Sequence, residues 1–190
     1  INGVMFVVEM LAGFAAQSQA LKADALDFGA DTATYLISLA VIGQSFALRA
    51  RAALFKGLSL GVVALIILID TITRFISGSA PAAPMMGAIA ALALLANVLS
   101  VLILMRWRDG DSNVRSVWLC SRNDAIGNLA VLVAAVLVAQ FATNWPDLVV
   151  ALLLAALFLR SAAQIIQQAR SELRRDREGA DSIAAASPRQ

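Results

Sequence analysis

The sequence contains no histidine and only one cysteine, Cys120. The absence of histidine excludes His-based acid–base catalysis and His-rich metal sites. A single cysteine cannot form an intrachain disulfide or a multi-thiolate zinc or iron–sulfur site. Charged residues make up only 15% of the 190 residues, whereas soluble domains contain about 25%. So little charge excludes a water-soluble enzyme, and the high hydrophobicity excludes a disordered protein.

Long apolar runs dominate the chain, in which 60% of the residues are hydrophobic and the mean hydropathy is +0.78. This is enough for roughly six membrane-crossing segments of about 20 residues each. Turn residues and interruptions of the apolar runs divide the chain into helices. The predicted helices are Ile1–Ala20, Asp24–Leu48, Leu54–Ile76, Pro84–Trp107, Val114–Ala142 and a sixth from Asp147 past Arg160. We predict an all-α, polytopic membrane protein, a six-transmembrane-helix bundle with short loops.

Lysine and arginine are distributed unevenly among the predicted connections. They concentrate between helices two and three, between helices four and five, and after helix six; these residues are Arg49, Arg51, Lys56, Arg106, Arg108, Arg115, Arg170, Arg174, Arg175, Arg177 and Arg189. The opposite side has only Lys22 and Arg74. The positive-inside rule then places both termini in the cytoplasm of a bacterial inner membrane protein. Because topology accounts for the arginines, the net charge of +2 indicates no nucleic-acid partner.

The chain divides by composition into two parts. Residues 1–168 form the predicted six-helix transmembrane transport domain, and residues 169–190 form a short polar cytoplasmic tail. Across and beyond this boundary, we expect Gln164–Glu178 to extend helix six and Gly179–Gln190 to be disordered. The sequence starts inside an apolar run without an initiator methionine, which predicts a chain trimmed at its amino end, and we expect no cleavable signal peptide.

Several aspartates lie within the predicted membrane-spanning helices, where an ionised side chain is energetically unfavourable. Asp24, Asp27 and Asp31 are spaced three and four residues apart, so they share one face of helix two. On helix five, Asp124 has Cys120 one turn before it and Asn128 one turn after it. This spacing again makes a single polar stripe along one helix.

Such acids need a partner within the membrane. Asp27, Asp31 and Asp124 would together cost on the order of 8 kcal/mol if they faced lipid unpaired. Protons, a basic side chain or a metal cation could offset that cost. Two i, i+4 pairs on two helices supply four ligands, the number that a tetrahedral site needs. The alternative is a buried, protonated acid cluster that holds the helices together.

Other polar residues leave alternatives open. Glu9 could assist proton movement or be a buried acid near Asn97 or Ser100. Asp24 could belong to an exit path or be an acid that suits the start of helix two. We expect Asp70 to pair with Arg74, four residues along the same helix. The glycines of three helices, Gly13, Gly29 and Gly127, are read as close-packing positions.

Two stretches resemble the cation diffusion facilitator family. The run Ala23-Asp24-Ala25-Leu26-Asp27-Phe28-Gly29-Ala30-Asp31 is similar to the family's A-D-A-x-(H/D)-x-x-x-D motif in helix two. The run from Asp124 to Ala135 is similar to helix five, where H-x-x-x-D precedes such a segment. The resemblance implies Asp27, Asp31 and Asp124 as metal ligands. Cys120 departs from the family pattern at the histidine position. It is the expected fourth ligand, and Asn128 is its substitute.

The resemblance implies a divalent transition-metal exporter working as a metal/proton antiporter. We expect it to carry zinc, with cadmium, iron, manganese and cobalt as further candidates, and to hold no resident cofactor and perform no enzymatic reaction. Its partners would be the divalent cation, protons, membrane lipid and a second copy in a homodimer. After helix six we see no ferredoxin-like domain, and therefore expect a short member lacking the cytoplasmic C-terminal domain.

Two other functions compete with this interpretation. A proton-coupled exporter of organic cations would need a cavity lined with aromatic side chains, yet aromatics are 6% of the chain. A metal-dependent intramembrane phosphotransferase would resemble D-x-x-D-G-x-x-A-R followed by a second acidic pair. Here Phe28 follows Asp27, the Ala-Arg is absent, and helix five has only one aspartate.

Overall fold

The computed structural model describes residues 1–41, 43–78, 80–105 and 112–186, without the side chains of residues 38, 77, 104, 112–122 and 179–186. These residues contain six α-helices and no strand. The helices are α1 (Asn2–Ala16), α2 (Gln19–Ala40), α3 (Phe46–Ser77), α4 (Ala83–Met105), α5 (Ser112–Phe141) and α6 (Trp145–Ala186). The predicted all-α fold with six helices is confirmed.

The turn between α1 and α2 lies earlier than the sequence predicted. Gln17 ends α1 in the left-handed conformation, with a φ of 56°. Ser18 then caps α2, because its hydroxyl accepts a hydrogen bond from the backbone N–H of Leu21 at 3.0 Å. As a result α2 starts five residues before Asp24, and Asp24 lies in the second turn of the helix. The interpretation of Asp24 as an acid at the helix start is therefore wrong.

The boundary between α2 and α3 also differs from the prediction. α2 ends at Ala40 rather than Leu48, and α3 starts at Phe46 rather than Leu54. Ser45 caps α3, and the Ala-, Leu- and Arg-rich segment after it consists of strong helix formers. Arg49 and Arg51 are consequently helical residues and not loop residues.

α6 continues well past the apolar segment. The predicted helical extension over Gln164–Glu178 is present, and the helix continues to Ala186. The expectation of disorder from Gly179 is thus wrong for residues 179–186, while residues 187–190 lie outside the described residues. The division into a transport domain and a tail stays a prediction.

α2 occupies the centre of the bundle and contacts each of the other five helices. Around it, α1 packs along α2, α3 along α6, and α4 along α5. Small side chains make these contacts close: Ala16, Ala20, Ala90 and Ala134 are buried in one cluster together with Leu21 and Val131. A side chain on α2 can therefore face α1, α5 or α6 according to its position on the helix.

Four helices, α3 to α6, are each long and apolar enough to cross a membrane within the described part of the chain. α1 is apolar but has only 15 residues. α2 has 22 residues, yet Lys22, Asp24, Asp27 and Asp31 interrupt its apolar sequence. The outer surface carries many exposed leucine, isoleucine, valine and phenylalanine side chains. Such a surface is typical of a protein whose solvent is lipid.

Polar contacts join the helix ends at the side that the sequence predicts to face outward, called here the predicted outer end. The buried carboxylate of Asp147, in the first turn of α6, accepts hydrogen bonds from Ser18 Oγ at 2.6 Å and from the backbone N–H groups of Gln19 at 2.8 Å and Ala20 at 3.1 Å. The expected pair of Asp70 with Arg74 is present at 3.6 Å. Asp147 therefore ties the start of α6 to the start of α2 at this end of the bundle.

Candidate metal centre

The carboxyl groups of Asp27 on α2 and Asp124 on α5 are in contact with each other. Both side chains are partly buried. Together with Asp24, Asn123 and apolar residues of α6, they line a cavity of about 460 Å³ between α2, α5 and α6. Carboxyl groups in contact require a shared proton or a cation between them, because two like charges repel strongly in a low-dielectric interior.

Asp31 lies one turn after Asp27 on α2 and has a hydrogen-bond partner on α1. The amide Nδ2 of Asn2 donates a hydrogen bond to Asp31 Oδ2 at 3.1 Å. Asp31 is close enough to repel the charges of both Asp27 and Asp124, but it does not line the cavity. Among the described residues, no three acidic or cysteine side chains converge on one metal position in this conformation.

The remaining predicted ligands lie on α5. Asn128 is one turn beyond Asp124, is 1% exposed, and neither its Oδ1 nor its Nδ2 has a hydrogen-bond partner among the described residues. Cys120 lies within the α5 backbone, one turn before Asp124, but its side chain lies outside the described residues. The structure therefore brings Asp27 to Asp124 and leaves the contribution of Cys120 a prediction.

A second pair of acids also meets inside the bundle, between α1 and α2. Glu9 is fully buried, and its carboxyl group contacts that of Asp24. The sequence alone does not predict that these two residues meet, because their pairing depends on how α1 packs against α2. The alternative partner Ser100 instead donates to the carbonyl of Ala96 at 2.9 Å.

Two of the three glycines have the predicted close-packing role. A Cβ at Gly13 would lie 2.9 Å from Lys22 Cγ, and one at Gly29 would lie 2.9 Å from Phe6 Cδ2. α1 and α2 approach each other at these points more closely than any side chain would allow. Gly127 has more room, since its nearest neighbours would be Asp24 Oδ1 and Leu154 Cδ2 at 3.9 Å.

Comparison with known proteins matches this arrangement to one family. Residues 1–174 match the family described as the cation efflux transmembrane domain. The chain is 30% identical to the zinc transporter ZitB of Escherichia coli over 186 positions, which cover 91% of this chain and 59% of the relative.

Two further relatives have broader names. The cadmium, cobalt and zinc/H(+)-K(+) antiporter of Bacillus subtilis is 27% identical, over 87% of this chain and 57% of its own length. The metal cation efflux system protein CzcD of Cupriavidus metallidurans is 26% identical, over 81% of this chain and 52% of its own length. The chain thus spans between half and three-fifths of the length of these curated relatives.

These matches and the four apolar helices identify a multi-pass protein of the bacterial inner membrane. The family match extends over all six helices and includes both acidic segments, on α2 and α5. The chain belongs to the cation efflux family of membrane transporters, the cation diffusion facilitators.

Proposed function

We propose that this chain exports a divalent transition-metal cation, zinc before cadmium, cobalt, manganese and iron, in exchange for protons. The observation that carries the proposal is the contact between Asp27 and Asp124 at the wall of a cavity inside a membrane-spanning bundle. The names of the relatives support the cargo and the exchange, since they refer to zinc transport and to an antiporter of cadmium, cobalt and zinc.

Asp27, Asp31 and Asp124 are the proposed ligands of the transported cation. Asp31, whose Oδ2 accepts a hydrogen bond from Asn2 Nδ2 at 3.1 Å, would exchange this partner for the cation when it joins the other two. Cys120 would complete the four ligands, and Asn128 would replace it if the thiol is not a ligand. A thiolate favours zinc and cadmium, whereas oxygen ligands alone favour harder cations such as manganese.

Proton exchange follows from the contact between the carboxyl groups. Without metal, Asp27 and Asp124 can remain together only by sharing a proton. Metal binding requires deprotonated ligands, so the arriving cation releases that proton. Rocking of the helices would then open the site to the other side, where protons displace the metal. No step of this cycle makes or breaks a covalent bond of an organic substrate, and we propose no enzymatic reaction.

Zinc flux into vesicles with an imposed proton gradient tests the proposal. We expect the gradient to drive zinc movement by the wild type, and the Asp27→Asn and Asp124→Asn variants to lose at least nine-tenths of it. Glu172→Gln is the matched control, because Glu172 is a partly exposed carboxylate of α6 outside the metal centre, and its Oε1 accepts a hydrogen bond from Gln168 Nε2 at 2.9 Å. Zinc flux that ignores the proton gradient would contradict antiport, and full transport by Asp124→Asn would contradict the site.

The cavity gives no support to the alternative cargo, an organic cation. Phe158 is the one aromatic residue among the described residues that line it. We further propose that the protein functions as a homodimer in lipid, which cross-linking in native membranes tests. If all of the protein remains at the monomer mass after cross-linking, the dimer is contradicted.

A further inference from the structure

Glu9, Asp24 and Asn128 form a buried polar layer beside the metal centre. They are 0%, 2% and 1% exposed. Apart from the contact between the carboxyl groups of Glu9 and Asp24, both carboxylate oxygens of Glu9, Oδ2 of Asp24 and both amide atoms of Asn128 lack a hydrogen-bond partner among the described residues. Buried polar groups in folded proteins almost always have partners. Five such atoms at one level of the bundle therefore indicate a binding site, whose ligand would supply the missing partners.

The three residues occupy the same level because the helices around them are in register. On α5, Asn128 lies between Asp124, which contacts Asp27, and Val131, which packs in one cluster with Leu21. Asp24 lies between Leu21 and Asp27 on α2, so it is level with Asn128. A Cβ at Gly127, the residue before Asn128, would lie 3.9 Å from Asp24 Oδ1, so α5 is adjacent to Asp24 at this level.

Lys22, the basic residue nearest in sequence to Asp24, pairs with a different carboxylate. Lys22 Nζ lies 3.2 Å from Asp70 Oδ2 and 4.4 Å from the centre of the Phe14 ring. A proton shared by Glu9 and Asp24 would still leave the amide of Asn128 without a partner. A cation, in contrast, can bind both carboxylates and the amide oxygen together, and oxygen ligands of this kind suit divalent cations.

We propose that Glu9, Asp24 and the amide oxygen of Asn128 form a second binding station for the divalent cation, one helical turn from Asp27 toward the predicted outer end. The separation along α2 is about 5 Å. Asp24 and Asp27 line the same cavity, so Asp24 connects the second station to the metal centre. This inference rests on the proposed function, because it takes the cargo from there.

Zinc stoichiometry of the purified protein in lipid nanodiscs, measured by equilibrium dialysis at saturating zinc, tests the second station. We expect two ions per chain for the wild type and for the control Glu172→Gln. Glu9→Gln and Asp24→Asn should each bind one ion, and Asp124→Asn should retain the ion at the second station. Each substitution nearly preserves side-chain size, and Asp124→Asn tests the second station even if a Glu9 variant does not fold.

The outcomes separate this inference from the proposed function. One ion in the wild type that disappears in Asp124→Asn and persists in Glu9→Gln overturns the second station and leaves the metal centre intact. Two ions in Asp124→Asn together with one ion in Glu9→Gln supports the second station and overturns the role of Asp124. Unchanged stoichiometry in both Glu9→Gln and Asp24→Asn also overturns the second station.

Discussion

Lys22 Nζ lies 3.2 Å from Asp70 Oδ2, and this contact ties α2 to α3 across the interior of the predicted outer end. The lysine side chain is only 6% exposed, whereas that of Asp70 is 42% exposed. Gln19 Nε2 donates to the same oxygen at 2.8 Å, and Arg74 Nε lies 3.6 Å from Asp70 Oδ1. Asp70 of α3 thus binds two polar side chains of α2, those of Gln19 and Lys22, and one of its own helix, that of Arg74.

Removing the charge of Asp70 should destabilise the protein. In Asp70→Asn, the buried Lys22 loses its carboxylate, and we expect the free energy of unfolding to fall by about 1–3 kcal/mol. Unfolding in mixed detergent micelles measures the change. The control Arg174→Gln breaks a pair 2.7 Å long whose side chains are 81% and 60% exposed, and it should cost less than about 0.5 kcal/mol. Equal losses in the two variants would contradict a role for burial.

Asp147 should be more important for stability than an ordinary helix cap. In Asp147→Ala, the hydroxyl of Ser18 and the N–H groups of Gln19 and Ala20 lose their acceptor. Because all of these groups are buried, we expect a loss of about 2–4 kcal/mol. Ser45→Ala removes an exposed cap whose hydrogen bond is 3.4 Å long, and should cost about 0.5–1 kcal/mol. If Asp147→Ala unfolds as readily as Ser45→Ala, the proposed anchoring of α6 to α2 is wrong.

Adding a methyl group at Gly13 should push α1 away from α2. The new Cβ would lie 2.9 Å from Lys22 Cγ and 3.1 Å from the Lys22 backbone nitrogen. Overpacking of this kind costs about 1–3 kcal/mol, which thermal unfolding of the purified Gly13→Ala variant measures. At Gly87 the nearest atom would be Ala135 Cβ at 3.7 Å. The control Gly87→Ala should therefore be neutral or stabilise α4 by up to about 1 kcal/mol, and a destabilised control would refute this steric explanation.

Metal preference should depend on Cys120 if its thiolate binds the cargo. Cys120→Ser should then reduce cadmium transport about tenfold or more and manganese transport much less, since thiolates prefer soft cations. Zinc or cadmium should also protect the wild-type thiol from alkylation. Parallel flux assays with the two metals make the comparison within one preparation. An unchanged ratio of cadmium to manganese transport would show that Cys120 only packs between the helices, a common role of free cysteine.

The helical fold and the common face of the acids on α2 were predictable because each depends on local pattern. Apolar runs of membrane length predict helices, and the four-residue spacing of Asp27 and Asp31 places them on one face. The start of α2 was misplaced because Ala20 extends the apolar run of α1 beyond the turn at Gln17. Ser18, three residues before Leu21, is the local signal for the cap.

The partners of the buried polar residues were not predictable, since they lie far apart in the chain. Asp147 binds groups 127 to 129 residues away in sequence. Lys22 and Asp70 are 48 residues apart, and no spacing rule connects Glu9 on α1 to Asp24 on α2. These contacts depend on which faces of the helices meet, a property of the packed bundle and not of any one segment.

Because α6 is long, a small tilt of this helix would move its far end by a large distance. With 42 residues, the helix is about 63 Å long, whereas the apolar core of a bilayer is about 30 Å thick. Phe158, at the cavity wall, lies 28 residues before Ala186, and a tilt of about 10° around it would move the far end by about 7 Å. A small rearrangement at the cavity wall would therefore produce a larger displacement at the far end of the helix. A spin label or fluorophore near residue 178 would report them without touching the site.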